Sequence, residues 1–142
     1  MILYLDTSAV VKLYATEPGS AETERLVTAS RQVASSLIAY DETRAALARK
    51  FRMRQMKQNE FNARKDEFEL HWAGFFKLPV DARVVRLAGE LAERFGLRGY
   101  DAIHLATADQ LYRQTRSPIR FACFDSALNA AASRLGLKVA PG

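Results

Sequence analysis

Short apolar runs and longer stretches with an apolar residue every three or four positions take turns along this chain. Ile2 to Leu5 is an uninterrupted apolar run that stops at Asp6, the pattern of a strand buried on both faces. Asp6, Thr7 and Ser8 offer capping side chains ahead of Ala9 to Tyr14, which predicts a helix. Glu17-Pro18-Gly19-Ser20 reads as a loop, with Ser20 opening a helix to about Ser30. Gln32 to Ser36 fits a second strand. Long helices are expected from about Leu37 to Met53 and from about Lys57 to Phe76. Leu78-Pro79-Val80 is a brief extended link, and Asp81 caps a helix that Gly96 ends after Phe95. Tyr100 to Arg113 forms another helix. Ile119 to Phe124 is strand-like, Ser126 to Leu135 is an Ala-rich helix, and Leu137 to Ala140 is a last short strand.

Strands that alternate with helices predict parallel β-α-β units, hence an α/β fold: a three-layer α/β/α sandwich around a central, mostly parallel sheet. No repeat or linker interrupts the 142 residues, which read as one domain over 1–142. A single cysteine, Cys123, excludes a disulfide framework and a multi-cysteine zinc site, and is expected in the core. The N-terminus lacks the basic flank of a signal peptide, and no apolar run approaches the roughly 20 residues that span a bilayer. A cytoplasmic protein with no membrane partner is the expectation.

Charge changes this picture. The chain carries a net +5, but Arg44 to Lys65 holds eight basic residues and one acid, which leaves the remainder slightly acidic. Such a run is either a solvated helix face or a phosphate-binding patch, where Arg and Lys gain affinity by releasing counterions. Downstream, Phe61, Phe68, Trp72, Phe75 and Phe76 recur mostly at helical spacing. They suit a core-facing stripe or a surface that receives a partner.

Four acids stand in apolar or tightly specified surroundings. Asp6 and Asp125 each follow a predicted strand, and in an open parallel sheet the carboxyl ends of strands border the ligand crevice. Glu42 shares a helical face with Ile38 and Ala45, which carries it toward the sheet. Asp101 opens the helix that continues Ala102-Ile103-His104. Singly, Asp6, Asp101 and Asp125 read equally well as helix caps, and Glu42 as the partner of a neighbouring Arg. Together in one crevice they would need a compensating cation, and Mg²⁺ or Mn²⁺ suits carboxylate oxygens and can activate water against a phosphate.

At these residues the chain resembles the PIN-domain family, specifically VapC-type toxins of bacterial toxin–antitoxin pairs. The resemblance rests on Leu3-Tyr4-Leu5-Asp6-Thr7-Ser8-Ala9-Val10, Ala34-Ser35-Ser36-Leu37-Ile38-Ala39-Tyr40-Asp41-Glu42, Leu97-Arg98-Gly99-Tyr100-Asp101-Ala102-Ile103-His104-Leu105-Ala106, and Phe124-Asp125-Ser126-Ala127-Leu128. It implies an endoribonuclease dependent on Mg²⁺ or Mn²⁺ that leaves a 5′-phosphate and a 3′-hydroxyl. Carried over by motif, the catalytic acids are Asp6, Glu42, Asp101 and Asp125. Asp6 and Asp101 are the expected metal ligands, supported by Thr7 and Ser8. Arg49, Lys50, Arg52, Arg54 and Lys57 would then hold the RNA backbone. A homodimer is implied, as is a small antitoxin whose tail occupies the active-site groove.

Asp41 departs from the pattern by placing a second acid beside Glu42. Adjacent helical residues point about 100° apart, so one faces the site, and Glu42 is the expected one. His104 is read as structural, His71 as a surface or interface residue, and Asp109 as solvated. Two other α/β enzymes fit less well. A phosphotransferase with Asp6 as nucleophile would carry an acid at Ser8, and a receiver domain would show an acidic pair beside the first strand. The alternative outside enzymology is a catalytically silent PIN-like module that binds nucleic acid or protein.

Overall fold

A computed structural model describes residues 1–140. Five strands, β1 (Ile2–Leu5), β2 (Gln32–Ser36), β3 (Phe76–Leu78), β4 (Ile119–Ala122) and β5 (Lys138–Val139), form one sheet in the order β3-β2-β1-β4-β5. Every pairing is parallel; Leu3 stands opposite Val33 on one side and Arg120 on the other. Seven helices connect the strands: α1 (Thr7–Lys12), α2 (Ser20–Ala29), α3 (Ile38–Arg52), α4 (Gln58–Trp72), α5 (Ala82–Phe95), α6 (Gly99–Thr115) and α7 (Ser126–Arg134). Among the described residues no helix is long and apolar enough to cross a membrane.

The two-residue alternation of a strand divides the core. Leu3 and Leu5 point into a cluster with α1, α3 and α4, where Val10, Tyr14, Leu47 and Phe68 are buried. Tyr4 points the other way, into a cluster with α5, α6 and α7 that holds Leu91, Leu105, Phe121 and Leu128. The expected three-layer sandwich is the observed architecture. From β1 the chain moves outward to β2 and β3, then returns across β1 to add β4 and β5. The strand order therefore reverses between β1 and β4, and the crevice at their carboxyl ends is where an open parallel sheet presents a ligand site.

Gly19 fixes the loop that leads into α2. It adopts φ +96°, and a Cβ there would stand 2.6 Å from a Phe124 ring atom. Only glycine meets both conditions without strain.

Three local readings are corrected. The helix expected to reach Phe76 ends at Trp72, and Phe76 to Leu78 form the edge strand β3 paired with Ala34 to Ser36. The aromatic spacing hid this change, because a three-residue strand is defined by its partner rather than by its own pattern. The strand expected to reach Phe124 stops at Ala122, so Asp125 lies in the turn beyond β4. Asp109 is 3% exposed, not solvated, and pairs with Arg113 at 2.9 Å. Its helix, α6, is packed between the sheet and two other helices and is buried nearly all round, so an 80° drift from Asp101 does not reach water.

Most of the aromatic stripe belongs to the core. Phe68 is fully buried and meets Tyr14 edge-on, and Phe61, Trp72 and Phe75 pack against the same cluster. Phe76 alone is largely open, at 45% exposure. Phe68→Ala should cost about 3–5 kcal/mol in urea unfolding, and Phe76→Ala less than about 1 kcal/mol. Equal costs would show that the stripe is not divided in this way.

Candidate active site

Asp6 leaves β1 directly and caps α1: its Oδ1 accepts from the Ala9 amide at 2.9 Å and from the Ser8 hydroxyl at 2.7 Å. The carboxylate is 4% exposed, and burial pushes its pKa up, with repulsion from Asp101 adding to the shift against the opposing pull of His104, Ser8 and Ala9. Among the described residues no donor reaches Oδ2.

Glu42 lies in the second turn of α3 and faces inward, while Asp41 is exposed. Its Oε1 accepts a short hydrogen bond from the Thr7 hydroxyl and lies 3.3 Å from His104 Nε2. Burial works to raise this carboxyl, but the His104 and Thr7 contacts outweigh it and hold the pKa below the usual glutamate range. His104 is 2% exposed, with Nδ1 2.8 Å from the Tyr4 hydroxyl and Nε2 2.9 Å from Thr7 Oγ1. With a protonated ring, both ring nitrogens donate; with a neutral ring, Thr7 gives its proton to the carboxylate and accepts from Nε2–H while the Tyr4 hydroxyl donates to Nδ1. Burial raises the Tyr4 pKa well above its ordinary value, which keeps that proton in place.

Asp101 and Asp125 share a different partner. Asp101 sits in the first turn of α6 and accepts from Arg98 Nε at 3.0 Å. Asp125 caps α7 through Oδ1, which accepts from the Leu128 amide at 2.9 Å, and its Oδ2 lies 3.7 Å from an Arg98 terminal nitrogen. A cavity of about 720 Å³ opens here, bordered by Glu42, Arg98 and Asp101 and floored by Val85, Ala88 and Ala92.

Asp101 thus neighbours Asp6, which it repels, and Asp125, through Arg98, while Glu42 borders the cavity with Asp101. The two hydroxyls after Asp6 serve different acids, Ser8 bonding Asp6 and Thr7 bonding Glu42. Among the described residues no three His, Cys, Asp or Glu side chains are already arranged to hold an ion. The donor set nevertheless suits a hard divalent cation: it is all oxygen, Asp6 keeps one carboxylate oxygen free of protein donors, and Asp101 adds repulsion to a carboxyl already raised by burial.

The basic run sits elsewhere. Arg49 and Arg52 lie seven and ten residues beyond Glu42 on α3, roughly 10–15 Å along the helix axis. Arg49, Arg52, Arg54 and Lys57 are exposed, but Lys50 pairs with Glu17 at 2.8 Å. Arg44 pairs with Glu69 at 3.0 Å. His71 is exposed, as expected, with Nδ1 2.9 Å from the Tyr14 hydroxyl. Cys123 is buried, which pushes its thiol up to about 12 and leaves it unreactive.

Two contributors escape sequence reasoning. His104 was placed one turn from Asp101 by spacing, but its bond to Glu42, 62 residues away, needs the fold. Arg98 stands three residues before Asp101, which spacing can pair, but Asp125 is brought to it only by the strand order.

Comparison with known proteins shows the family and the fold. The family model described as PIN domain matches residues 3–133. A protein named ribonuclease VapC45, from Mycobacterium tuberculosis (strain CDC 1551 / Oshkosh), is 36% identical over 99% of this chain and 95% of its own length. Among solved structures, M. tuberculosis VapC20, described as a sarcin–ricin loop cleaving toxin, superposes with TM-score 0.66 at 19% identity, covering 91% of this chain and 94% of that one. A toxin–antitoxin complex from Klebsiella pneumoniae gives TM-score 0.64 at 19% identity, with 87% of each chain covered. With the motifs, the parallel sheet and the acidic crevice in agreement, the chain belongs to the PIN-domain family, in its VapC branch.

Proposed function

We propose that this protein is a divalent-metal-dependent endoribonuclease and the toxin of a toxin–antitoxin pair. The observation that carries the reading is an acidic crevice where the strand order reverses: Glu42 and Asp101 border a cavity of about 720 Å³, Asp101 repels Asp6, and Arg98 links Asp101 to Asp125. The names of the VapC relatives and the complex from K. pneumoniae support the ribonuclease and antitoxin parts.

Asp6 and Asp101 would hold Mg²⁺ or Mn²⁺, with Glu42 and Asp125 acting through water or a second ion. Held there, the ion would supply activation of a water and neutralisation of charge at the scissile phosphate. The protein's own part is to keep the carboxylates ionised and aimed. Ser8 and the Ala9 amide fix the Asp6 rotamer, and Thr7 with His104 keeps Glu42 ionised and turned toward the cavity. RNA would enter along the cavity, with Arg49, Arg52, Arg54 and Lys57 holding its backbone one or more nucleotides from the cut. Phosphate contacts of this kind set register and affinity, not sequence. The partners proposed are an RNA substrate, a second copy of the chain, and an antitoxin whose tail fills the same groove.

The first test is cleavage of a total-RNA and tRNA panel by antitoxin-free protein in Mn²⁺ or Mg²⁺. Discrete fragments are expected, and they should vanish with EDTA and with Asp6→Asn. Intact RNA, with metal and RNA still bound, would favour the silent binding module. Glu42→Gln should lower the cleavage rate at least a hundredfold, whereas Asp41→Asn should leave it within about threefold; equal losses would remove the distinction between the two acids.

Asp6 also makes a stability prediction. Its folded pKa lies above the unfolded value, so the ionised form destabilises the fold at neutral pH, and the loss is recovered as pH falls through the raised value. Asn keeps the oxygen that caps α1 and removes the charge. Asp6→Asn should therefore melt higher than wild type in EDTA at pH 7, and should lose the rise in melting temperature that Mn²⁺ gives the wild type. A lower melting temperature in EDTA would show that burial of this charge is already compensated.

The basic patch is read from salt dependence. Replacing Arg49 and Arg52 by Ala in the Asp6→Asn protein should weaken RNA binding and flatten the slope of log K against log salt by about 1.4. An unchanged slope would remove these residues from the RNA interface.

A further inference from the structure

Arg98 is the N-cap residue of α6, in extended conformation (φ −68°, ψ 154°), and its side chain is 81% exposed. One guanidinium nevertheless joins two acids that no strand or helix holds together: Nε donates to Asp101 Oδ2 at 3.0 Å, and a terminal nitrogen lies 3.7 Å from Asp125 Oδ2. Asp101 belongs to α6 and Asp125 to the cap of α7, so the contact spans two helices. The same side chain borders the cavity together with Glu42. Arg113 offers a contrast. It pairs with a single carboxylate, Asp109, buried away from the cavity.

We propose that Arg98 is a positioning residue with two alternative partners. It holds Asp101 and Asp125 with its own positive charge, it competes with any divalent cation for those oxygens, and once displaced it holds a phosphate of the RNA in the adjoining cavity. This rests on the metal-dependent ribonuclease reading above. The physical basis is that a guanidinium and a divalent cation cannot occupy the same carboxylate oxygens, because their like charges repel at contact distance. An exposed ion pair of this type is weak enough to yield to a divalent ion. The released side chain keeps its charge at any working pH, and its planar fork matches two phosphate oxygens at once, which a lysine does not.

The test compares wild type, Arg98→Ala, Arg98→Lys and Arg94→Ala as full chains. Arg94 lies on α5 over the Phe95 ring, and its removal takes away the same charge without touching a carboxylate. Mn²⁺ affinity is measured by calorimetric titration, then KM and kcat for an RNA that the wild type cleaves, at saturating Mn²⁺. Arg98→Ala should bind Mn²⁺ about three- to tenfold more tightly than wild type, with Arg94→Ala and Arg98→Lys within twofold of wild type. At saturating Mn²⁺, Arg98→Ala and Arg98→Lys should both raise KM severalfold and change kcat less. Mn²⁺ affinity in Arg98→Ala that is equal to or weaker than wild type overturns the competition, as does an equal gain in Arg94→Ala. An unchanged KM overturns the phosphate contact. When wild type binds Mn²⁺ and cleaves RNA, these results bear on Arg98 alone; a wild type that takes up no Mn²⁺ and leaves RNA intact overturns the parent reading as well.

Discussion

The buried chain of hydrogen bonds from Tyr4 through His104 and Thr7 to Glu42 ties the sheet to the site. Its members come from β1, α6, α1 and α3, so it crosses the sheet layer and joins helices that pack on opposite faces. Each hydroxyl has one proton, so an ionised Glu42 takes the Thr7 proton and turns the Thr7 oxygen toward His104 as an acceptor. In a low-dielectric interior such a chain is favourable only when complete, because a member left unpaired would bear the full loss of solvation. The constraint acts in both directions. The packing of α6 against the sheet brings His104 between Tyr4 and Glu42, so the hydrogen bonds that hold Glu42 reach back to a tyrosine in the core.

The other acids are compensated differently, and the difference maps onto depth. Asp6 is buried, its hydrogen bonds come only from neutral donors of its own cap, and the pull of His104 does not offset the burial. Asp101 and Asp125 lie nearer solvent and share an exposed cation from the protein itself. A crevice built this way has a fixed inner wall and an outer wall whose charge balance can change. The least satisfied carboxylate, Asp6, is the one from which an entering cation would gain most, since it adds charge compensation where the protein supplies least.

Much of this was legible in the sequence because it is local. The apolar runs of β1 and β2 and the periodic helices follow from residues within one or two turns of each other. Asp6 and Asp125 stand at helix caps, as their positions after strand-like runs indicated. Glu42 was separated from Asp41 by helical angle alone. The rest depended on contacts that sequence spacing does not encode. β3 has three residues and exists through its pairing with β2. Asp109 is buried because α6 is enclosed on nearly every side, so the rule of one apolar and one polar face fails there. Arg98 meets Asp125 across 27 positions only after the chain has returned past β1. Lys50 reads as one more member of a basic run until the fold brings Glu17 against it.

The separation of charge along α3 follows from the same layering. Glu42 near its start faces the crevice, while Arg49 and Arg52 near its end are open to solvent. Basic side chains beside the carboxylates would compete for them, as Arg98 does, and would lower their hold on a cation. Basic side chains roughly 10–15 Å away can attract a polyanion without entering that competition, because fields between exposed groups are largely screened beyond about 8–10 Å at physiological salt. One rigid helix therefore presents two incompatible electrostatic surfaces and keeps them apart by its own length. Arg44, Lys50 and Arg64, the basic residues of this run that fold back onto acids, have Glu69, Glu17 and Glu67 as their partners, which leaves the crevice carboxylates to Thr7, Ser8, His104 and Arg98.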